Sequence, residues 1–322
     1  MYWLRFCAVL LAFAFATHAY AVCHVPVKDK ASVTALALKM AKSVGPCVDP
    51  NPSVLLALNL DNNMDPEARN LLVKQLKDDA VVKVSQNLTF SSGKAALYTL
   101  ALRSSCFDPT KIPKPGGNLN LVTVLEEKTK AELTSIGKNK FPRTNFYQVA
   151  LDVLALCVMS SPLAEKAGAT LAKAVPAKPS GPEFSVDTAA MAVMGFTCVQ
   201  SMDNIPPKTK SSVKQAQSVL LDLMMAQQNN NGMIGNIYST GLAGQALTAA
   251  KAYYPREAWN CSLTLQKILE EIPIGTFSLP IAAAQVLPYL YGRSYFSVKE
   301  IQCPTSNSTN NISGGLSGGA PT

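Results

Sequence analysis

Histidine is almost missing: the 322 residues hold two, His18 and His24. His18 falls in the N-terminal apolar segment and His24 just behind it, so a His, Cys and Asp cluster able to hold a catalytic metal has no material. Acids are thin as well, 21 Asp+Glu against 29 Lys+Arg, and no DDxxD-type or DxDD run occurs. No CxxC pair suggests zinc. Period-two alternation is nearly absent, which excludes an extensive sheet. Behind the first residues no stretch approaches the roughly 18–20 uninterrupted apolar residues of a membrane helix. Cations are scattered; Lys111, Lys114, Lys128, Lys130, Lys138 and Lys140 come nearest to a patch. Without interleaved aromatics they read as a solvated face and not as a nucleic-acid surface.

What is present begins with "MYWLRFCAVLLAFAFATHAYA": one early cation, Arg5, a short apolar run, and Ala19 and Ala21 flanking Tyr20. This pattern predicts a secretory signal peptide over residues 1–21 and a secreted, extracellular product. Eight cysteines become seven once Cys7 leaves, predicting disulfides with one thiol over, and spacing does not assign the pairs. Sequons at Asn87, Asn260, Asn307 and Asn311 fit the same compartment as glycosylation sites. With 48% hydrophobic residues the remainder can bury a sizeable core.

A repeat organises that core. "NPSVLLALNL", "SGKAALYTLALRSSC", "TNFYQVALDVLALC", "SVDTAAMAVMGFTC", "YSTGLAGQALTAA" and "SLPIAAAQVLPYL" share one plan, a polar residue leading into an apolar, Ala- and Leu-rich helix. Their central residues, Ala57, Ala101, Ala155, Gly195, Ala246 and Val286, recur at intervals of 40 to 54 residues. Amphipathic segments such as "DPEARNLLVKQLKDDA" and "VKQAQSVLLDLMMAQQ" lie between them. Six helical hairpins with apolar helices inside predict an all-α fold, an α6/α6 barrel over residues 22–303; the rival is an open superhelix.

Ser53, Thr144, Ser185, Ser239 or Thr240, and Ser278 stand where N-caps are wanted, with Pro280 as a first-turn proline. Parallel inner helices would then share one rim of unpaired N–H groups and neutral side chains: Thr144, Tyr147, Gln148, Asn236, Tyr238 and Gln285. Such a mouth suits a large neutral or weakly anionic ligand bearing many carbonyls. Gln245 and Gln285, one unit apart on apolar helices, must bond either neighbouring helices or a ligand. Asp187, in "EFSVDTAAM", is the sharpest single residue, either a capping group or a ligand contact. A glycosidase needs two facing carboxylates, and only Asp187 and Asp152 sit in the inner helices. No nucleophile with a base is visible and catalysis is not expected. The alternatives are a toroid enzyme, glycan-active or cyclase-like, using Asp187, and a protein-binding scaffold.

At "SVDTAAMAVMGFTC", "GNIYSTGLAGQAL" and "AAAQVLPYL", and again at "NPSVLLALNL", "TNFYQVALDVLALC" and "EAWNC", the chain resembles the vertebrate cobalamin carriers, the family of haptocorrin, intrinsic factor and transcobalamin, with haptocorrin nearest in motifs. The resemblance covers Cys23 to Cys303. It implies an α6/α6 barrel followed by a β domain with cobalamin between them, carried without catalysis and delivered through a cell-surface uptake receptor. It implies contacts from Thr144, Tyr147, Asp187, Asn236 and Gln285; corrin amides both donate and accept, which suits neutral partners. It implies disulfides Cys23–Cys261, Cys106–Cys303 and Cys157–Cys198, leaving Cys47 buried or blocked. Glu183 and Phe184 stand where transcobalamin offers a cobalt-ligating histidine, so no protein side chain is expected on the metal. Lys94 replaces a ligand-facing glutamine. The Ser/Asn/Gly-rich residues 304–322 read as a flexible linker or tail, and the β domain is expected to be absent.

Overall fold

The computed structural model describes residues 23–61, 66–179 and 181–303. The expected signal peptide, the 304–322 tail and the sequons at Asn307 and Asn311 lie outside the described residues.

Six helices form an inner ring: α2 (Pro52–Asn59), α4 (Ser92–Ser104), α6 (Phe146–Val158), α8 (Val186–Gln200), α10 (Ile237–Ala249) and α12 (Pro280–Leu290). Each touches the next, and α12 returns to α2, closing the circle. The six residues that align the repeat fall within these six helices. Burial follows sequence: from Val149 to Val158 every residue of α6 is buried, because a helix apolar all round gains only when neighbours cover every face. The outer helices are α1 (Lys30–Ala41), α3 (Pro66–Ser85), α5 (Leu121–Asn139), α7 (Leu163–Ala174), α9 (Pro207–Ala226) and α11 (Cys261–Ile274). They bury a single stripe, as α3 does with Leu72, Leu76 and Ala80 at four-residue steps. A two-stranded antiparallel hairpin, β1 (Ile112–Lys114) with β2 (Gly117–Leu119), decorates the link from α4 to α5.

The ring closes tightly at α10 and α12. A Cβ on Gly241 would stand 2.9 Å from Val286 Cα and 3.1 Å from the Gln285 carbonyl oxygen. Only a glycine lets these backbones approach so far. Gln245 stitches the same seam: its Nε2 donates to the Gln285 carbonyl at 2.7 Å, and its Oε1 accepts from Tyr295 N–H at 3.1 Å. Gln245 thus bonds the fold, the first of its two expected roles.

Past α12 the chain folds back beneath the ring as a 3-10 turn, Tyr295–Glu300. It touches α4, α6 and α8 and is anchored at the C-terminal ends of α4 and α8. Arg103 donates to the Ile301 carbonyl at 3.0 Å, and Lys299 to the Ser201 hydroxyl at 2.9 Å. This strap floors the barrel.

Three disulfides form, Cys23–Cys261, Cys106–Cys303 and Cys157–Cys198. The second ties the end of α4 to the strap, and the third joins the C-terminal ends of α6 and α8. Cys47 is free and exposed, correcting the expectation that it is buried or blocked; it sits in the loop between α1 and α2, outside both layers.

Candidate ligand site at the barrel mouth

Opposite the strap, the N-terminal ends of α2, α6, α8 and α12 converge on one cavity of about 700 Å³, lined from these helices by Ser53, Thr144 to Tyr147, Asp187 with Thr188, and Ile281 with Gln285. That is a generous size against the usual ligand pocket of about 300–1,000 Å³. Tyr295 reaches it from the floor, and the loops contribute Phe141, Pro142 and Glu183.

The N-caps are shifted from the expected positions, with a consequence for the site. Asn51, not Ser53, caps α2 by accepting from Ser53 and Val54 N–H. Asn145, not Thr144, caps α6 by accepting from Gln148 N–H at 2.9 Å. Asn236, not Ser239 or Thr240, caps α10. Leu279 precedes α12 with no side-chain cap, so Ser278 is not one, while Pro280 occupies the first turn as expected. Ser185 caps α8 as expected. An Asn amide reaches two or three residues forward, so each helix begins beside it and neighbouring hydroxyls are released for other work. Ser239 hydrogen-bonds Asp187 from α10. The Thr144 hydroxyl is buried and has no protein partner.

The electrostatics are muted. Burial raises the Asp187 carboxyl above its ordinary range, against the Ser239 hydrogen bond that lowers it. Burial raises the Tyr147 phenol too, and the Asp187 charge adds to this. Tyr295 is raised by burial and then by Tyr147. Both phenols therefore stay protonated at physiological pH and can donate as well as accept. Gln285 is half-buried and lines the cavity. Phe146 stacks on Phe184 with ring centroids 4.9 Å apart, holding the Glu183 loop against α6. Among the described residues no group of three His, Cys, Asp or Glu side chains could hold a metal ion.

The structure thus brings together Thr144, Tyr147, Asp187 and Gln285 and leaves three expected residues off the lining. Gln148 lies over Gly93, where an added Cβ would meet its side chain at 2.6 Å, so it fills the contact between α4 and α6. Asn236 spends its carbonyl on the α10 cap. Tyr238 stands exposed at the rim, edge-on to Phe277 at 6.4 Å. Lys94 is exposed, with its ammonium over the Tyr98 ring at 5.8 Å. Sequence reading missed the apolar part of the lining, such as Phe141, Pro142 and Ile281, and it missed Tyr295, which follows the last repeat in a segment with no helical period.

Comparison with known proteins supplies the context for this cavity. Residues 5–318 match the family described as eukaryotic cobalamin-binding protein. Rat cobalamin binding intrinsic factor is 34% identical over 94% of this chain and 69% of its own length. Human transcobalamin-1 is 35% identical over 81% of this chain and 61% of its own. Measured against mouse and dog intrinsic factor, the chain spans 64% of their length. A crystal structure of haptocorrin in complex with Cbi superposes with a TM-score of 0.72 at 30% identity, covering 87% of this chain and 71% of that one. The helical barrel, its open mouth and the match along nearly the whole sequence agree: this chain belongs to the eukaryotic cobalamin-binding protein family.

Proposed function

We propose that the chain binds cobalamin or a related corrinoid at the barrel mouth and carries it without chemical change in an extracellular compartment. The observation that carries this reading is a single cavity lined by Thr144, Tyr147, Asp187 and Gln285, in whose wall the Thr144 hydroxyl is buried without a hydrogen-bond partner among the described residues. A buried polar group without a partner costs about 1–3 kcal/mol; a ligand rich in amides, able both to donate and to accept, recovers it. Tyr147 and Asp187 complete the contact set, and Asn236 and Tyr238 are placed at the rim to meet parts of a large ligand outside the cavity. Gln148 supports the set from behind. No protein side chain is assigned to the cobalt.

The disulfides and the exposed sequon asparagines Asn87 and Asn260 support secretion and glycosylation, and delivery to an uptake receptor follows from the carrier reading. No helix of the described residues is long and apolar enough to cross a membrane. The domain plan that supports this reading is a leader over 1–21, the barrel over 22–303 and a linker or tail over 304–322. Purified protein mixed with cobalamin and passed through gel filtration should carry the corrin absorbance in the protein peak, and Gln285→Ala should reduce it while the helical signal persists. Absence of co-elution from folded wild type would refute the proposal. Turnover of a glycoside dependent on Asp187 and Glu183, which share the cavity, would favour the enzyme reading.

A further inference from the structure

Glu132 lies on α5, outside the cavity, and is 4% exposed. Its Oε2 accepts from the backbone N–H of Arg143 at 2.6 Å and of Thr144 at 3.1 Å, and its Oε1 accepts from the Ser92 hydroxyl of α4 at 3.4 Å. No Lys or Arg pairs with it among the described residues. A buried carboxylate without a cation is a costly way to fill a helix interface, and an apolar side chain would serve packing alone. The two N–H groups lie upstream of the α6 cap at Asn145, where no helix carbonyl can reach them. Beside Glu132, Asp152 is fully buried, with the hydroxyls of Ser92 and Thr129 next to it. Its carboxyl is raised well above the ordinary range by burial, against a Ser92 hydrogen bond that lowers it, and is raised further by the Glu132 charge.

We propose that Glu132 is a positioning residue for the ligand site: it clamps the loop Phe141–Asn145 by two backbone N–H groups and so sets where Thr144 stands on the cavity wall. The clamp explains why Thr144 caps nothing. Its own N–H is taken by Glu132 and the helix start by Asn145, which leaves the threonine side chain at the cavity wall. This role rests on the carrier reading given above.

The test is a double-mutant cycle on cobalamin affinity, followed by corrin absorbance, for the wild type, Glu132→Gln, Thr144→Val and the pair. A lost or misplaced hydrogen bond to ligand predicts about tenfold weaker binding for each single variant. Because both act through the placement of one side chain, the pair should be no weaker than about tenfold. An additive loss of about a hundredfold, or full affinity in Glu132→Gln, overturns the proposal. Amide exchange on the ligand-free wild type gives a second measurement that needs neither a folded variant nor binding. Arg143 and Thr144 should exchange at least about tenfold more slowly than Phe141 and Asn145, whose N–H groups have no such acceptor. Equal rates overturn the clamp. A wild type that shows this protection yet retains no cobalamin removes the carrier reading and leaves the clamp standing.

Discussion

Ring closure is tested most directly at Gly241. A methyl group added there meets backbone, Val286 Cα at 2.9 Å and the Gln285 carbonyl at 3.1 Å, so no rotamer change relieves the contact and α10 must move away from α12. Overpacking of this kind costs about 1–3 kcal/mol, while Ala in place of Gly in a helix returns about 0.8–1.0 kcal/mol. Gly137, on the outer helix α5, has nothing within 4 Å of its added Cβ, so Gly137→Ala shows the gain alone. The expected result is Gly241→Ala below Gly137→Ala by about 1–3 kcal/mol. At about 2–4 °C per kcal/mol for a domain near this size, that is a gap of roughly 2–12 °C in melting temperature, read by calorimetry. Gly241→Ala should also retain less cobalamin, because the seam carries Gln285 and Ile281 into the cavity. Two variants that melt together would refute the closed ring as described.

Gln245→Leu should cost about 2–4 kcal/mol in a denaturant titration, since the Gln285 carbonyl and the Tyr295 N–H each lose a buried partner. Replacing Cys157 and Cys198 by Ala should cost about 2–4 kcal/mol, whereas Cys47→Ser should abolish thiol labelling of the folded protein and leave its melting temperature unchanged. Asp152 has a folded pKa raised above its unfolded value of 3.8. Its contribution is therefore complete below that pH and fades as pH climbs through the raised value. Asp152→Asn does not titrate, so it should gain on the wild type as pH rises from about 4, and a constant difference across the range would contradict the assigned cause.

The inner ring was legible because six segments are apolar on every face and recur at a hairpin's length; few architectures cover such helices completely. The cavity residues were legible in part for a different reason. Polar groups at the start of an apolar helix are conspicuous, yet sequence does not show which of two adjacent acceptors caps. At Thr144–Asn145 the choice decides whether the threonine is spent on its own helix or freed. Gln148 was misplaced because its neighbour, Gly93, lies 55 positions earlier and opens the gap that it fills. Glu132 looked like one more charge on an amphipathic helix, since the N–H groups it holds belong to a loop with no period of its own. Tyr295 gave no signal at all, because a floor made by a short 3-10 turn is defined only by what it crosses.

The strap and the α12-to-α2 contact are also a statement about synthesis. The first inner helix waits for the last, and the bridge that pins the strap joins positions 197 residues apart. A ribosome must therefore release almost the whole barrel before the circle can shut, and until then each emerging inner helix has a bare greasy side. Such a nascent chain calls for chaperone shelter in the cell, and premature termination ahead of Tyr295 would yield a bottomless tube in place of a cup.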